Sequence, residues 1–396
     1  MKCYFICRYH EIALKKNNRA FFENRLCRNI EKALNDLSFR AVRRISGRII
    51  VELSSDSPIE EMGLRLQEVF GVVSCSPAWR SAQDIESLEN NLWQLVSQRE
   101  FETFKIQARR SDKGFPFSSQ QLNERLGAFI LQKSGKRVQL SRPDLTCYVD
   151  LVEKYGFLYF ERFKGAGGLP SSVSGKVVVL LSGGIDSPVT AYRIMKRGCR
   201  AVFVHFHSYP HTTVESQNKV RRLVSILNRY QYRSTLYLIP FAECQRQIVA
   251  YTPPETRVIL YRRLMVRLAE RIACRESAHA LVTGDSIGQV ASQTLENLEV
   301  VSRAIHLPIF RPLIGNDKEE IIQLARQIGT YEVSILPDMD CCSLFLPRHP
   351  ETRANLAGIG RVEQQLDLEN MLSDALNRKE VETIFQCERK LANSHQ

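Results

Sequence analysis

The chain has 396 residues, more than one ordinary hydrophobic core can organise, so two or three domains are expected. Its composition, 44% hydrophobic and 25% charged, is typical of a globular protein, and no targeting segment or membrane-length apolar run is present, so we expect a cytoplasmic protein without a membrane partner. Eleven cysteines, an odd number without CxxC or paired Cys/His spacing, argue against a disulfide framework and against a metal site built by the protein.

Positive charge is concentrated in two blocks of the N-terminal part. The net charge is +12; residues 1–50 hold 12 Lys and Arg against 4 Asp and Glu, residues 51–100 hold 3 against 9, and residues 101–150 hold 9 against 5. Blocked basic charge favours a nucleic-acid partner, although an ordinary solvated surface explains the charge equally well.

The first 75 residues are predicted to form one α+β domain. Lys2–Tyr9 is a predicted strand, Asn17–Leu37 a helix, Phe39–Leu53 a hairpin that turns at Ser46-Gly47, and Pro58–Phe70 a second helix. This order suggests a ferredoxin-like split βαβ fold. Several basic residues fall on its polar positions: Lys15, Lys16, Arg19, Arg43, Arg44 and Arg48.

Residues 76–168 have a second α+β pattern, with helices and strands predicted at Ile85–Val96, Thr103–Arg110, Ser118–Lys133, Val138–Leu140 and Thr146–Phe160. The alternating stretch from Phe104 to Arg110 resembles a THUMP domain, an RNA-binding module of tRNA-modifying enzymes. The resemblance implies that Lys and Arg on one strand face meet phosphates. Small residues from Gly165 to Ser172 then indicate a linker, which we place at 169–175.

The most informative stretch is KVVVLLSGGIDSPVTAYRIMKRG, from Lys176 to Gly198. Its aliphatic start predicts a strand buried on both faces, and two adjacent glycines predict a sharp turn. Ser187 suits a helix N-cap, and Gly198 suits the end of that helix. A Gly-rich turn between a buried strand and a helix binds phosphate, because backbone N–H groups and the helix dipole point at the anion.

This turn is neither a Walker motif nor GxGxxG. Ser182-Gly183-Gly184-Ile185-Asp186-Ser187 resembles the SGGxDS signature of the PP-loop ATP pyrophosphatases. The resemblance implies that the loop grips the β and γ phosphates of ATP while a nucleophile attacks the α phosphate. The alternative is a tight turn that binds no ligand.

Helices and strands continue to alternate after this unit, with a strand at Ala201–Phe206, a helix at Val214–Tyr230 and a strand at Thr235–Phe241, then helices up to Glu276 and a strand at Ala280–Thr283. The alternation predicts a doubly wound parallel sheet over residues 176–396, ending in a helical C-terminal tail from Ala354 to Leu391. Ligands bind such sheets at the carboxyl ends of the strands. His205 and Phe206 lie at one such end, where they are predicted to flank adenine, although a lone histidine is more often structural.

Four further segments resemble one family, the tRNA 4-thiouridine synthetases, which are sulfurtransferases also tied to thiamine biosynthesis. They are His205–Pro210, Thr283–Leu298, Arg311–Gly315 and Asp340-Cys341-Cys342, and the start Arg8–Lys15 is similar as well. The resemblance covers nearly the whole chain. It implies an α/β PP-loop ATP pyrophosphatase sheet preceded by ferredoxin-like and THUMP domains, and the thiolation of uridine at the eighth position of tRNA.

Together the two resemblances imply a set of site residues. Asp186 matches the essential PP-loop aspartate, and Mg²⁺ is inferred from the phosphates alone. Arg262 and Arg263 are candidates to clamp negative charge that develops during the reaction. The implied ATP contacts are Leu180, Leu181, Ser182, Gly183, Gly184, Ser187, His205, Phe206, Arg262, Gly284 and Gln293.

Sulfur handling is assigned by the same resemblance to Cys342, with Cys341 as second choice for that role and as the first candidate for a resolving thiol. Two buried thiols in a core turn are the alternative. Many family members carry a rhodanese domain that bears a persulfide cysteine, and no such domain is expected after Pro350. We therefore expect sulfur to come from a cysteine desulfurase. A thiamine sulfur-carrier protein and a homodimer partner are further expectations.

Two other readings compete with this one. Another adenylating PP-loop enzyme, such as an amide synthetase or a different tRNA thiolase, fits the loop but not the N-terminal half. A tRNA-binding protein with an inactive loop fits the N-terminal half, but the intact SGGxDS residues oppose it.

Overall fold

The computed structural model describes residues 1–111, 114–211, 213–337 and 350–385, and the chain divides into two compact units, Met1–Pro170 and Ser171–Gln396. In the described part of the chain, no helix is both long and apolar enough to cross a bilayer. Each unit is built on one sheet.

The helices and strands of the first unit follow one another in the order β1 Cys3–Arg8, α1 Arg19–Ala33, β2 Ala41–Ile45, β3 Arg48–Glu52, α2 Ile59–Glu68, β4 Ser74–Ala82, α3 Ile85–Val96, β5 Thr103–Arg110, α4 Ser119–Ser134, β6 Arg137–Val138, β7 Leu145–Val152, β8 Tyr155–Tyr159 and β9 Phe163–Lys164. A 3₁₀ helix, Glu11–Asn18, precedes α1, which is shorter than predicted. Ser118, the first residue of the predicted helix Ser118–Lys133, caps α4, since Ser118 and Gln121 form a capping box.

These strands form one sheet in the order β2-β3-β1-β4-β8-β7-β5-β6, with β9 on β4. Antiparallel pairing of β3 with β2, β3 with β1 and β1 with β4 is the predicted split βαβ arrangement. Strand β4 was not predicted, because SCSPAWRSA contains Pro77 and small polar residues that are rare in central strands. The expected domain boundary after residue 75 falls within β4, so the boundaries stay a prediction.

The helices of this unit pack on one face of the sheet. Phe5 lies beside Gly63 of α2 and pairs with Pro77, while Trp79, two residues beyond Pro77, packs on the core that α3 and α4 help to form. Strand β5 directs Phe104, Ile106 and Ala108 to the same core. By the two-residue period, Lys105, Gln107 and Arg109 project from the opposite face, on which no helix residue packs in the cluster formed by the described residues.

The second unit contains β10 Lys176–Leu180, α5 Asp186–Lys196, β11 Arg200–His207, α6 Glu215–Gln231, β12 Arg233–Pro240, α7 Ala242–Tyr251, α8 Arg257–Glu276, β13 Leu281–Val282, α9 Leu295–Ser302, β14 Ile309–Phe310, α10 Lys318–Gln327, α11 Tyr331–Ser334, α12 Leu356–Glu363, α13 Leu368–Asn377 and β15 Glu380–Phe385. Short 3₁₀ turns lie at Pro254–Thr256 and Ala291–Gln293.

The predicted parallel sheet is confirmed for five strands, in the order β14-β13-β10-β11-β12, followed by β15. The prediction of a helical C-terminal tail is wrong at its end, because β15 pairs antiparallel with β12. Two helices, α12 and α13, do precede it and pack into the core on α8. The carboxyl ends of the parallel strands meet at one edge, where the predicted site residues lie.

Candidate active site

The predicted phosphate loop joins β10 to α5. Ser187 donates its hydroxyl to the Ser182 carbonyl at 3.1 Å and accepts the Ser182 N–H at 2.9 Å, while Ser182 Oγ accepts the Gly184 N–H at 3.3 Å. The prediction of Ser187 as N-cap is wrong, since α5 begins at Asp186 and the hydroxyl of Ser187 is turned back into the loop. Among the described residues no side chain caps α5, so its first N–H groups face the loop, as an anion site requires.

Asp186 makes an ion pair with a residue that the sequence analysis missed. Lys318 Nζ lies 2.8 Å from Oδ1 and 3.0 Å from Oδ2 of Asp186, and Gln289 Nε2 donates to Oδ2 at 3.3 Å. Lys318 is the first residue of α10, where the helix dipole disfavours a cation. A lysine in that unfavourable place was the available sequence signal.

Gly284 lies against the start of α5. A Cβ at this position would meet Ser187 N at 3.1 Å, Ser187 Cα at 3.2 Å and the Asp186 carbonyl carbon at 3.2 Å. Because these are backbone atoms, a side chain there would displace the loop. The predicted residue Gly284 therefore acts by the close approach of two backbones.

Asp285 is the next residue and was also missed, although it stands in the segment Thr283–Leu298 that carries the family resemblance. It is buried and forms ion pairs with Arg262 and Arg311. Burial acts to raise the pKa of Asp285, but the charge of Arg262, the hydroxyl of Thr283 and the charge of Arg311 outweigh it and lower the pKa below its usual value. Two predicted contacts, Leu180 and Arg262, line a cavity of about 40 Å³ beside this carboxylate.

His205 and Phe206 point to opposite faces of β11. His205 Nδ1 donates to the Leu181 carbonyl at 2.9 Å, whereas Phe206 packs in the core against Phe241. Burial and the charge of His205 lower the pKa of the neighbouring His207 to about 4, so His207 is neutral at pH 7. The structure thus brings His205 to the loop and directs Phe206 into the core.

Of the two adjacent arginines, Arg262 points to the loop edge and Arg263 points into the core. Arg262 Nη1 donates to the Ser292 carbonyl at 2.7 Å and its second nitrogen to Asp285, so it lies beside Gln293. Arg263 is buried and binds Glu363 of α12 at 2.7 and 2.8 Å. Arg263 therefore joins two helices and does not reach the loop edge.

Comparison with known proteins matches three family profiles along the chain. Residues 4–76 match the ThiI ferredoxin-like domain, residues 81–161 the THUMP domain, and residues 172–368 the family described as "Thiamine biosynthesis protein (ThiI)". The chain is 46% identical to the probable tRNA sulfurtransferase of Thermus thermophilus over 375 residues, which are 95% of this chain and 92% of the relative. It is 41% identical to that of Moorella thermoacetica over 380 residues, 96% and 97% of the two chains.

The chain belongs to the ThiI family of tRNA sulfurtransferases. A solved structure, that of a 4-thiouridine synthetase in complex with RNA and bound ATP, is 34% identical and superposes with a TM-score of 0.88, covering 97% of this chain and all of that one. A Pyrococcus horikoshii protein, 24% identical with a TM-score of 0.65 over 83% of this chain and all of its own, shares the fold.

The described site of this ThiI family member fits ATP better than it fits a metal ion held by protein alone. The side-chain oxygens of Gln289 and Gln293 are buried without a hydrogen-bond partner among the described residues, so they are acceptors suited to ribose hydroxyls or an amino group. Within the same ranges, no group of three or more His, Cys, Asp or Glu side chains is placed to hold a metal. Mg²⁺ therefore stays an inference from the phosphates.

The remaining catalytic candidates, Cys341 and Cys342, lie outside the described residues. The structure does place Ser334 of α11, which precedes them in the chain, at the loop: its hydroxyl donates to the Gly184 carbonyl at 3.3 Å. The assignment of Cys342 as the sulfur-handling residue stays a prediction.

Proposed function

We propose that this chain activates a uridine of tRNA, at position 8 by resemblance, with ATP and replaces its O4 with sulfur to give 4-thiouridine. The observation that carries the proposal is the convergence of Asp186, Arg262, Gly284 and Gln293 on the loop edge of one sheet. The bound ATP and RNA of the 34% identical synthetase support the same two substrates.

The chemistry has two stages. The uracil O4 attacks the α phosphorus of ATP and pyrophosphate leaves, which converts a poor leaving group into a good one. A persulfide sulfur then adds to C4, and AMP leaves with the original oxygen. A second thiol then attacks the carrier sulfur and breaks the S–S bond, with Cys342 as the carrier or as the attacking thiol, which leaves 4-thiouridine and a disulfide that a reductant must clear.

The described residues serve the first stage. The uncapped start of α5 and the loop N–H groups bind phosphate oxygens, and Arg262 offsets negative charge on the transferring group. Asp186, held by Lys318, orients the nucleotide at the helix start. We assign tRNA binding to residues 1–168 and sulfur delivery to a cysteine desulfurase. The proposal extends to the supply of sulfur for thiamine synthesis through a carrier protein.

The test combines cells with purified protein. Mass spectrometry of tRNA nucleosides should find 4-thiouridine only in cells that carry the gene. In vitro, with tRNA, a desulfurase and ATP, Cys342→Ser should keep pyrophosphate release and lose thiolation. Cys274→Ser is the matched control, because Cys274 is an exposed free thiol of α8.

Each contrary result points to a different conclusion. Full thiolation by Cys342→Ser would move the sulfur chemistry to another cysteine, with Cys341→Ser tested next. Pyrophosphate release with a substrate other than tRNA would indicate a different adenylating PP-loop enzyme. Binding of tRNA without any pyrophosphate release by the wild type would leave only an RNA-binding role.

A further inference from the structure

Asp285 is 4% exposed, and each of its two carboxylate oxygens has separate partners. Oδ2 accepts the Thr283 hydroxyl at 2.7 Å and Arg311 Nε at 3.1 Å. Oδ1 accepts an N–H of Arg262 and the side-chain amide of Gln293, the latter at 3.5 Å. One oxygen is thus tied to the strand ends of the sheet, and the other holds two predicted nucleotide contacts.

We propose that Asp285 is the positioning residue of the nucleotide site: anchored through Oδ2, it holds Arg262 and Gln293 through Oδ1 in the orientation that binds ATP. This inference rests on the function proposed above. Asp285 itself does not contact the substrate in this scheme, and it acts through the two side chains that it holds.

Arg262 needs a fixed partner because its side chain is long and charged. Arg262 reaches the site from α8, and without a fixed partner its side chain samples many rotamers. The Asp285 carboxylate and the Ser292 carbonyl together fix two nitrogens of its planar guanidinium. The lowered pKa of Asp285 supports a carboxylate that is ionised at neutral pH and can perform this role.

The local charge balance also favours binding of an anion. Arg262 and Arg311 both bind Asp285, so the three side chains carry a net charge of +1. The single carboxylate keeps the two guanidinium groups in place in spite of their repulsion. Removal of its charge would leave two partly buried cations to move apart, and Arg262 would then leave its binding orientation.

The test compares Asp285→Asn with Glu363→Gln in the full-length protein. Glu363 is a matched control, because it is also a buried carboxylate held between two arginines, Arg263 and Arg267, but it joins α12 to α8 away from the loop. Both variants should lower the melting temperature. Only Asp285→Asn should raise the ATP dissociation constant and the KM for ATP in pyrophosphate release with tRNA, by about tenfold or more.

Two further variants keep the proposal testable if Asp285→Asn does not fold. Thr283→Val removes one anchor of Oδ2 without changing charge, and it should raise the KM for ATP about twofold to fivefold. Because Asp285 acts through Arg262 as well as Gln293, adding Asp285→Asn or Thr283→Val to Arg262→Met should raise the KM by less than the product of the separate effects.

An unchanged KM in Asp285→Asn, or in Thr283→Val where the first variant does not fold, would overturn the inference, as would effects that multiply independently with Arg262→Met. Failure of the proposed function looks different, since the wild type itself would then release no pyrophosphate with tRNA.

Discussion

Asp186 and Lys318 form a partly exposed ion pair at the start of α5, with side-chain exposures of 25% and 45%. Such pairs contribute only about 0–1 kcal/mol to stability. The pair is therefore better explained by the orientation of Asp186 in the site than by folding. It also offsets negative charge at a position where phosphate must approach.

We predict that Asp186→Asn lowers the rate of pyrophosphate release with tRNA by about 100-fold, because a small loss of orientation at a reacting centre has a large effect on rate. The melting temperature should change by no more than about 2 °C. Steady-state pyrophosphate release and thermal unfolding of the same preparation provide the measurement. A folded variant that reacts at the wild-type rate would remove Asp186 from the chemistry.

The sequence predicted single residues well where their roles are local. The bend at Gly183-Gly184 and the end of the helix at Gly198 were both predicted, and Gly198, with φ of 86°, uses the left-handed conformation that favours glycine. Lys318 and Asp285 depend on partners 132 and 23 residues away, which no local pattern encodes. The N-cap prediction for Ser187 was wrong for a similar reason. Its hydroxyl could cap the helix or bond to the loop, and the fold places it against the Ser182 carbonyl.

At the level of elements, the site depends on how closely the β13 end approaches α5. Gly284→Ala would place a Cβ 3.1 to 3.2 Å from the backbone of Asp186 and Ser187. We predict a loss of about 1–3 kcal/mol in stability and a further loss of ATP affinity, since the loop must shift to admit the methyl group. Calorimetric titration with ATP and thermal unfolding measure the two effects.

Gly360→Ala is the control for this substitution. Gly360 lies inside α12, and no atom of the described residues is within 4 Å of an added Cβ, so alanine should stabilise that helix by about 0.5–1 kcal/mol and leave ATP affinity unchanged. Equal ATP affinity in Gly284→Ala and the wild type would refute the packing role of Gly284.

Elements with a clear period were predictable, and those set by pairing partners were not. α3 was predicted with both its bounds, since Asp84 caps it and its apolar residues follow the helical period. Strand β4, with Pro77, and strand β15, with the mostly exposed sequence EVETIF, lack a buried alternating pattern. Both form because neighbouring strands offer backbone hydrogen bonds, and this is a property of the whole sheet.

At the scale of the whole molecule, part of the positive charge of the two basic blocks lies on one face of the N-terminal sheet. Lys105 and Arg109 of β5 project away from the helices, and Arg43 of β2 pairs with Ile50, whose side chain packs on the same side. Other basic residues of the first block are already paired, because Arg44 and Arg19 bind Glu23 on α1. An electrostatic RNA surface on this face is the natural interpretation.

We predict that tRNA binding by the full-length protein weakens by roughly tenfold or more between 50 and 200 mM salt, as expected for about 4 to 6 phosphate contacts. The variant with Arg43, Lys105 and Arg109 changed to Gln should bind more weakly and with a shallower dependence on salt. The control variant changes Arg271, Arg303 and Arg378 to Gln; these residues pair with acidic side chains in the second unit, and the two triple variants carry the same net charge. Filter binding at four salt concentrations gives the slope of affinity against salt for each variant. Equal slopes for the two triple variants would place the RNA contacts elsewhere, and salt-independent binding by the wild type would exclude an electrostatic surface altogether.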